Sequence, residues 1–451
     1  MRRRSGRAGS LLAISLAKKG FRVDVYERRP DMRAVEISAG RSINLALSVR
    51  GIHALKDVGL FDDIAPKLLP MRGRMIHAVT GERVFSQYGK DATEVINSVS
   101  RADLNMRLLD LAESQSGVRI HFQQRCTGID LASGAVRLRD ETDGRAYTAT
   151  ADTVIGTDGS ASAIRAEMQN LDGFTITEDI LEHGYKELVI PAGPGGKFLL
   201  ESDALHIWPR HAYMMIALPN IDKTFTCTLF FPHEGELSFA SLDTPARVRD
   251  FFAAQFPDAV PLMPTLEETF FANPTGSLAT VRCRPWHAGG TVALLGDASH
   301  AIVPFFGQGM NCAFEDCTVL SECINRHGTD WDKVYRAYDE LRKPNADAIA
   351  DLALENFIEM RDKVADAHFL LTKAVGLALE QRFPDRFVPK YSMVSFHRVP
   401  YAVAQRRGRI QDDILDLLCA HITRIEDVDW EHAGVLIQEM LIPLADYAAV
   451  L

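Results

Sequence analysis

The sequence predicts an α/β fold in which a Rossmann-like domain is interrupted by an antiparallel sheet and followed by a helical region. A helix-like run at 10–20 leads into the alternating, β-branched strand FRVDVYE. Between 184 and 231, short β-rich runs are separated by turn residues, which is typical of an antiparallel sheet. After about residue 311 the pattern is mostly helical to the end of the chain.

The composition favours a folded protein of two or three domains. The chain has 451 residues, of which 47% are hydrophobic. Its net charge of -10 argues against a general nucleic-acid binder, which would carry a basic face. The seven cysteines are scattered without a metal-ligand spacing, which indicates reduced thiols in the cytoplasm and no metal site. No apolar run approaches the roughly 20 residues of a membrane helix.

The turn before the first helix is the first candidate ligand segment. Gly6 and Gly9 have the spacing of the second and third glycines of a dinucleotide-binding turn. The N-terminus of the following helix would offer free N–H groups to phosphates. Glu27 ends the next strand, where a carboxylate can accept hydrogen bonds from ribose hydroxyls. The alternative is an ordinary helix start.

The apolar strand that normally precedes such a turn is absent from the sequence. Arg4 stands where the first glycine is expected. Because this strand would be central in a parallel sheet, we expect exposed strand edges and weakened nucleotide binding. We interpret the pattern as a start assigned too far downstream or a frameshift, and the alternative is a truncated, inactive copy.

Two later segments place acidic residues at the ends of strands. Asp158 lies in GTDGSASAIR, and Asp297 lies in GDASHAIVPFFGQGMN. The carboxyl ends of strands are where open α/β sheets bind ligands. The first segment is also compatible with a simple Asp-Gly turn. The second contains two more glycines and leads into a helix whose N-terminal amides can meet an anionic group.

The Asp158 segment comes first and the Asp297 segment second, and both follow an acidic residue placed to bind a ribose. This sequence pattern resembles that of the single-component FAD-dependent aromatic hydroxylases. Further strings are similar to the branch that hydroxylates kynurenine, and the likeness runs from about Gly6 to about residue 410. These strings are GRSINLALSVRG, MRGRMIH, QYGKD, HGYKEL, ALHIWPR, ALENFIEM and KYSMVSF. The resemblance implies a glutathione-reductase-type FAD-binding domain with an inserted antiparallel substrate-binding sheet and a C-terminal helical region.

The resemblance also implies boundaries, a reaction and cofactor contacts. The FAD-binding domain would comprise 1–70, 98–175 and 275–340, the substrate-binding sheet 71–97 and 176–274, and the helical region 341–451. The reaction would be 3-hydroxylation of L-kynurenine with FAD as cofactor and NADPH and O2 as co-substrates. The implied FAD contacts are Gly6, Gly9, Glu27, Arg28, Ala46, Arg101, Asp158, Asp297, Gly309, Met310 and Asn311. Arg101 is equally compatible with a surface ion pair.

The implied substrate contacts combine polar groups with an apolar slot. They are Arg74, Tyr88, Asn356, Tyr391, Phe305 and Phe230. A guanidinium suits a carboxylate, because it offers two parallel donors. Asn356 falls on the inward stripe of a helix, where a buried amide needs partners. The alternatives are a surface arginine, a core asparagine and ordinary half-buried tyrosines.

Other assignments also remain open. Phe306, Phe231 and Met215 are further candidates for the slot, although the core would use them equally well. No catalytic side chain is expected, because the flavin carries the chemistry, and His300 is interpreted as a structural histidine. The alternative functions are a flavin hydroxylase of another anthranilate-like or phenolic substrate and an inactive flavoprotein.

The charged, amphipathic tail predicts packed helices, a cytoplasmic enzyme and no membrane contact. The oligomeric state is open, with a homodimer among the options.

Overall fold

The computed structural model describes residues 7–34, 44–363 and 366–447. The chain forms two compact units, each assembled from three stretches of sequence. The first unit comprises 1–68, 99–181 and 276–353, and the second comprises 69–98, 182–275 and 354–451. The domain boundaries expected from the sequence stay a prediction.

The helices of the described residues range from one turn to more than seven turns. They are α1 (Arg7–Lys18), α2 (Val49–Asp57), α3 (Phe61–Ile64), α4 (Arg101–Glu113), α5 (Ala163–Met168), α6 (Pro245–Gln255), α7 (Leu266–Ala272), α8 (Asp297–His300), α9 (Gly309–His327), α10 (Trp331–Ile358), α11 (Ala367–Arg382), α12 (Lys390–Ser395), α13 (Tyr401–Cys419), α14 (Trp430–Met440) and α15 (Leu444–Tyr447). Tighter and wider turns add to these: 3-10 turns at Ala65–Lys67, Val260–Leu262, Pro304–Phe306 and Ile425–Asp427, and a π-helical turn at Glu359–Lys363.

The strands within the described ranges belong to five sheets. They are β1 (Val23–Glu27), β2 (Asn44–Leu47), β3 (Leu69–Met71), β4 (Gly73–His77), β5 (Arg83–Gln87), β6 (Ile96–Ser100), β7 (Val118–Phe122), β8 (Gln124–Ile129), β9 (Val136–Asp140), β10 (Ala146–Ala149), β11 (Val154–Gly156), β12 (Thr175–Ile190), β13 (Ala204–Arg210), β14 (Tyr213–Pro219), β15 (Phe225–Pro232), β16 (Gly276–Arg284), β17 (His287–Ala288) and β18 (Val292–Leu294).

The first unit contains the predicted helix and parallel strands. Leu11, Leu12 and Ile14 of α1 are buried in the core of this unit, which is the apolar face expected from their spacing. The strand β1 pairs in parallel with β7, and β11 pairs in parallel with β18. The helix and these strands confirm the corresponding sequence predictions.

In the described part of the chain, β1 and β11 each have one edge that pairs with no strand. Consecutive residues of both strands, 23–27 and 154–156, line one cavity of about 1120 Å³. Side chains alternate between the two faces of a strand, so a run of consecutive lining residues means that the strand edge itself faces the cavity. The exposed edges expected from the sequence are therefore present.

The main sheet has the order β16-β12-β15-β14-β13-β4-β5. The predicted strands between 184 and 231 are confirmed as β12 to β15, and the pairings of β12, β13, β14 and β15 within this run are antiparallel. The strand β12 begins earlier than predicted, at Thr175. The strands β4, which joins β13 in parallel, and β5, which pairs with β4, were not predicted individually, although the resemblance assigned residues 71–97 to the substrate-binding sheet.

In the second unit, the two faces of this sheet have different partners. Trp208 and Phe231 lie in an apolar core formed with α6 and α7. Phe230 is the next residue along β15, so its side chain points to the opposite face. Arg74 is in register with Leu205, three residues before Trp208, which places Arg74 on the same face as Phe230.

The C-terminal segment forms helices, as predicted. Apolar residues of α11, α13 and α14, among them Leu379, Ile414 and Ile437, are buried together in one core. Most charges of these helices lie on the remaining faces, which accounts for the amphipathic pattern, while Glu380 and Arg407 are buried. Across the described ranges, the helices fall short of the length and apolarity needed to cross a membrane.

Candidate functional site

The cavity in the first unit brings together five of the predicted cofactor contacts. Gly9, Glu27, Arg28, Arg101 and Asp158 all line it. Its volume of about 1120 Å³ exceeds the roughly 300–1,000 Å³ of an ordinary ligand pocket, because it includes the space between β1 and β11. Gly6, the other predicted glycine of this turn, lies outside the described residues.

Gly9 lets α1 approach the end of β11. A Cβ atom at Gly9 would lie 2.7 Å from Oγ1 of Thr157, which is closer than real contacts allow. This close helix–strand packing is what the third glycine of a dinucleotide-binding turn permits. The geometry therefore fits the role that the spacing suggested.

Glu27 stands at the end of β1 with its side chain turned toward the following turn. Its Oε1 accepts a hydrogen bond from the backbone N of Arg29 at 3.0 Å. Burial raises the pKa of Glu27 above its usual value, and the nearby charges of Arg29 and Arg28 lower it only in part. A carboxylate held this way can accept from a hydroxyl of a ligand in the cavity.

Asp158 and Arg101 each leave one buried polar atom unsatisfied. Oδ2 of Asp158 accepts from the backbone N of Ala163 at 2.6 Å and so holds the start of α5. Its Oδ1 and the Nε of Arg101 are buried without a hydrogen-bond partner in the described part of the chain. Buried polar groups normally have partners, so an acceptor and a donor lining one cavity indicate a polar ligand.

The segment from 296 to 311 forms two short turns that lead into α9. Asp297 opens α8, and its side chain is accessible to solvent although the surrounding protein raises the pKa of its carboxyl by desolvation. Gly309 and Met310 are the first residues of α9, whose N-terminus is not capped by any described side chain. The free N–H groups and positive dipole end of such a helix suit an anionic group.

The Asn311 side chain connects this segment to β2 and to Ser48, the residue just after β2, by hydrogen bonds. Its Nδ2 donates to the carbonyls of Ala46 at 2.8 Å and Gly307 at 2.9 Å. Its Oδ1 accepts from the backbone N of Ser48 at 2.9 Å. Both amide donors are used within the protein, so Asn311 positions Ala46 and Gly307.

Behind the same segment lies a buried network of charges. The Nε2 of His300 is 2.6 Å from Asp316, and Asp316 also accepts from the backbone N of Gly296 at 3.1 Å. Arg342 bonds to both Asp316 and Glu315 at 2.7 Å. Burial opposes the charge of His300, but Asp316 raises the pKa of His300 well above its usual value. His300 therefore supports the Gly296 turn, in agreement with its structural interpretation.

In the second unit, the four predicted polar substrate contacts come together. Arg74 is 4% exposed, so the alternative of a surface arginine is wrong. Its Nη2 lies 3.4 Å from Oδ1 of Asn356. Its guanidinium carbon lies 5.6 Å from the ring centre of Tyr88 and 5.3 Å from that of Tyr391, within cation–π range. The two tyrosine rings are stacked, with centroids 5.2 Å apart.

Two charged residues of this cluster, Glu359 and Lys373, were not predicted from the sequence. Arg74 donates to Oε1 of Glu359 at 3.1 Å, and the Nζ of Lys373 lies 3.3 Å from the same oxygen. Burial opposes ionisation of this carboxyl, but Lys373 and Arg74 outweigh it and lower the pKa of Glu359 to about 2. The spacing of three residues from Asn356 on one helical face was the available signal for Glu359. Lys373 lies on a separate helix, α11, and no local sequence pattern linked it to this cluster.

The aromatic candidates divide between different environments. Phe230 is 3% exposed and shares a sheet face with Arg74. Phe231 and Met215 lie in the core on the opposite face, so for them the core alternative is correct. Phe305 and Phe306 are buried in a 3-10 turn of the first unit.

The fold and the first unit's cavity define an FAD-binding protein, and residues 5–353 match the family described as FAD binding domain. The protein named kynurenine 3-monooxygenase from Myxococcus xanthus is 53% identical over 439 residues, which cover 97% of this chain and 94% of that protein. Its namesake from Stenotrophomonas maltophilia is 46% identical over 428 residues, covering 94% and 93%. The chain belongs to the kynurenine 3-monooxygenase family of FAD-dependent monooxygenases.

Solved structures show the same fold at lower identity. The tetrameric form of 2-methyl-3-hydroxypyridine-5-carboxylic acid oxygenase is 21% identical, with a TM-score of 0.63 over 82% of this chain and 94% of that one. A probable FAD-dependent monooxygenase from Pseudomonas aeruginosa is 19% identical, with a TM-score of 0.62 over 79% and 94%. These neighbours confirm the predicted fold class.

Proposed function

We propose that the chain catalyses 3-hydroxylation of L-kynurenine, using FAD as cofactor and NADPH and O2 as co-substrates. The observation that carries this proposal is the buried cluster around Arg74, which presents a cation and an anion side by side. The relatives that share about half of its residues are named for this reaction. Neither alternative function, another phenolic substrate or an inactive flavoprotein, is favoured by these relatives.

The first unit offers a fitting environment for FAD. Glu27 would meet a ribose, while the unsatisfied atoms of Arg101 and Asp158 and the N-terminus of α9 would meet polar or anionic parts of the cofactor. When bound, FAD supplies the redox chemistry, in which NADPH gives two electrons and O2 gives one oxygen atom to the substrate and one to water. The chain itself has to hold and orient both ligands.

The head of the substrate is a zwitterion, and the cluster in the second unit holds groups of both signs, with Arg74 and Lys373 as cations and Glu359 as the anion. The carboxylate would bind the guanidinium of Arg74, helped by the hydroxyls of Tyr88 and Tyr391. Burial raises the pKa of both tyrosines, so each remains a neutral hydroxyl that can donate. Because Lys373 and Arg74 lower the pKa of Glu359 to about 2, its side chain is a carboxylate at neutral pH and can accept from the substrate's ammonium group.

The aromatic end of the substrate needs an apolar surface and protection from water. Phe230 provides such a surface on the sheet face that also carries Arg74. The amino group on the substrate ring activates the neighbouring ring carbon toward oxygen. No side-chain base is therefore needed, and the role of the chain is to orient the ring and exclude water.

The experiment for this proposal compares substrates that share one end of L-kynurenine. With added FAD and NADPH, L-kynurenine should stimulate NADPH oxidation. 2-Aminoacetophenone, which keeps the aminophenyl ketone but lacks the amino acid head, should not. Equal stimulation by both compounds, or stimulation by a simple phenol instead, would favour another aromatic substrate.

We infer a cytoplasmic site of action as a further part of this proposal, and a homodimer stays one option for the oligomeric state. All seven cysteines lie in described residues and are free thiols, which fits a reducing compartment. The net charge of -10 supports the expectation that nucleic acid is not a partner. Sedimentation equilibrium of the purified chain would distinguish a dimer from a monomer.

A further inference from the structure

Three potential ligands for a cation converge in the second unit, from segments far apart in the sequence. Glu94 lies between β5 and β6, Glu380 lies on α11, and His397 follows α12. One ligand atom from each lies within 4.8 Å of the others. Glu94 and Glu380 are buried, and His397 is half-buried.

Glu380 is the least expected member of this group. It is 1% exposed, and neither of its carboxylate oxygens has a hydrogen-bond partner among the described residues. A buried carboxylate without a partner is costly unless it binds a proton or a cation. Nε2 of His397 also lacks a hydrogen bond in the described ranges, although it lies 3.3 Å from Oε1 of Glu94.

We propose that Glu94, Glu380 and His397 form a binding site for a divalent transition-metal cation, best suited to zinc. Two carboxylates and one imidazole are typical zinc ligands, with water completing a tetrahedron. Magnesium and calcium prefer oxygen ligands throughout, which disfavours them here. Zinc bonds of about 2.1 Å in a tetrahedron separate neighbouring ligand atoms by roughly 3.4 Å. The 3.3 Å between His397 and Glu94 is close to this spacing.

The charged groups around Glu380 are mainly acidic, which suits a cation. They are Glu94, Asp91 and the single cation Lys90. The Nζ of Lys90 is 3.9 Å from Glu94, but its side chain is 40% exposed and is free to turn toward solvent.

The position of the cluster suggests a structural role for the cation. Glu94 accepts a hydrogen bond from the backbone N of Lys90 at 2.9 Å, in the segment that follows Tyr88. His397 follows the short helix that carries Tyr391. A cation would therefore tie together the segments that bear the two stacked rings.

The test is titration of the full-length chain with Zn²⁺ alone, followed by calorimetry and thermal unfolding. The variants are Glu380→Gln and His397→Gln, which keep side-chain size and remove a ligand. The control is His53→Gln. The side chain of His53 is 36% exposed and lies 3.3 Å from Asp57, which closely matches the 35% exposure and 3.3 Å contact of His397.

We expect the wild-type chain and His53→Gln to bind one Zn²⁺ and to melt at a higher temperature with it. The two site variants should bind at least about tenfold more weakly and lose the shift. Without metal, Glu380→Gln should be no less stable than wild type, because it removes an unpaired buried carboxyl. Absence of zinc binding by the wild type, or equal binding by all four proteins, would overturn the proposal. Both results are independent of whether the chain hydroxylates kynurenine.

Discussion

Arg74 is buried beside two stacked tyrosine rings, so its planar guanidinium cannot be replaced by another cation without loss. We expect Arg74→Lys to raise the KM for L-kynurenine by about 10–100-fold, which corresponds to the roughly 1.5–3 kcal/mol of a hydrogen bond to a charged group. Steady-state kinetics would measure this. Arg72→Lys, at an exposed position two residues earlier, is the control and should leave KM unchanged. An equal rise in both variants would contradict substrate recognition by Arg74.

Glu359 is expected to recognise the ammonium group of the substrate. Glu359→Gln should weaken binding of L-kynurenine by about tenfold or more, while an analogue without the α-amino group should bind as well as before. Equilibrium titration with both ligands would measure the difference. Glu355→Gln is the control, since Glu355 is exposed and pairs with Lys390. If the variant lost affinity for both ligands equally, Glu359 would serve only to hold Arg74 in place.

Some residues of the site could be predicted and others could not, for physical reasons. Glu27 and Asp158 follow β-rich runs, and strand ends are visible in a sequence. Glu359 lies three residues after Asn356, in the π-helical turn that continues α10, so its spacing was a usable signal that the prediction did not include. Lys373 was missed because its contact with Glu359 depends on the packing of two separate helices, which leaves no local signal.

At the scale of elements, the 3-10 turn Pro304–Phe306 depends on the glycine that ends it. Gly307 has a φ of +68°, and a Cβ atom there would lie 2.9 Å from the Cβ of Ala46. Gly307→Ala should therefore strain the backbone and push the turn away from β2, and we expect a loss of FAD affinity. Fluorescence titration with FAD would measure it.

Gly328 provides the control for this prediction. It has a similar φ of +62°, but nothing lies within 4 Å of a Cβ atom there. Gly328→Ala should lower stability by about 1 kcal/mol and leave FAD affinity unchanged. If the two variants lost FAD affinity equally, backbone strain alone would explain the effect and the contact with Ala46 would be irrelevant.

The elements that the sequence predicted were those with a clear period. The helix α1 has a broad apolar stripe, and β13 to β15 are rich in apolar and aromatic residues between turn signals. The strand β4 was missed because its buried pattern includes Arg74 and His77, polar residues that mask the signal of a strand. Its burial depends on partners supplied by distant parts of the chain.

At the scale of the whole molecule, β1 and β11 each leave one edge unpaired among the described residues, and both edges line the same cavity. A variant with an apolar strand of about five residues and a Gly-x-Gly turn joined ahead of Gly6 should pair both edges. We expect it to melt higher by at least about 5 °C and to bind FAD more tightly. An extension of equal length in glycine and serine is the control. Equal behaviour of the two extended proteins would show that the space between β1 and β11 does not accept a strand.

The most direct test of the central claim is the fate of molecular oxygen in the reaction. The purified chain, supplied with FAD, NADPH and L-kynurenine under ¹⁸O2, should oxidise NADPH only when L-kynurenine is present. Mass spectrometry should then find a hydroxylated product that carries one labelled oxygen atom. If FAD is bound but oxidation of NADPH is the same with and without L-kynurenine, and no labelled product forms, the chain is not a kynurenine hydroxylase.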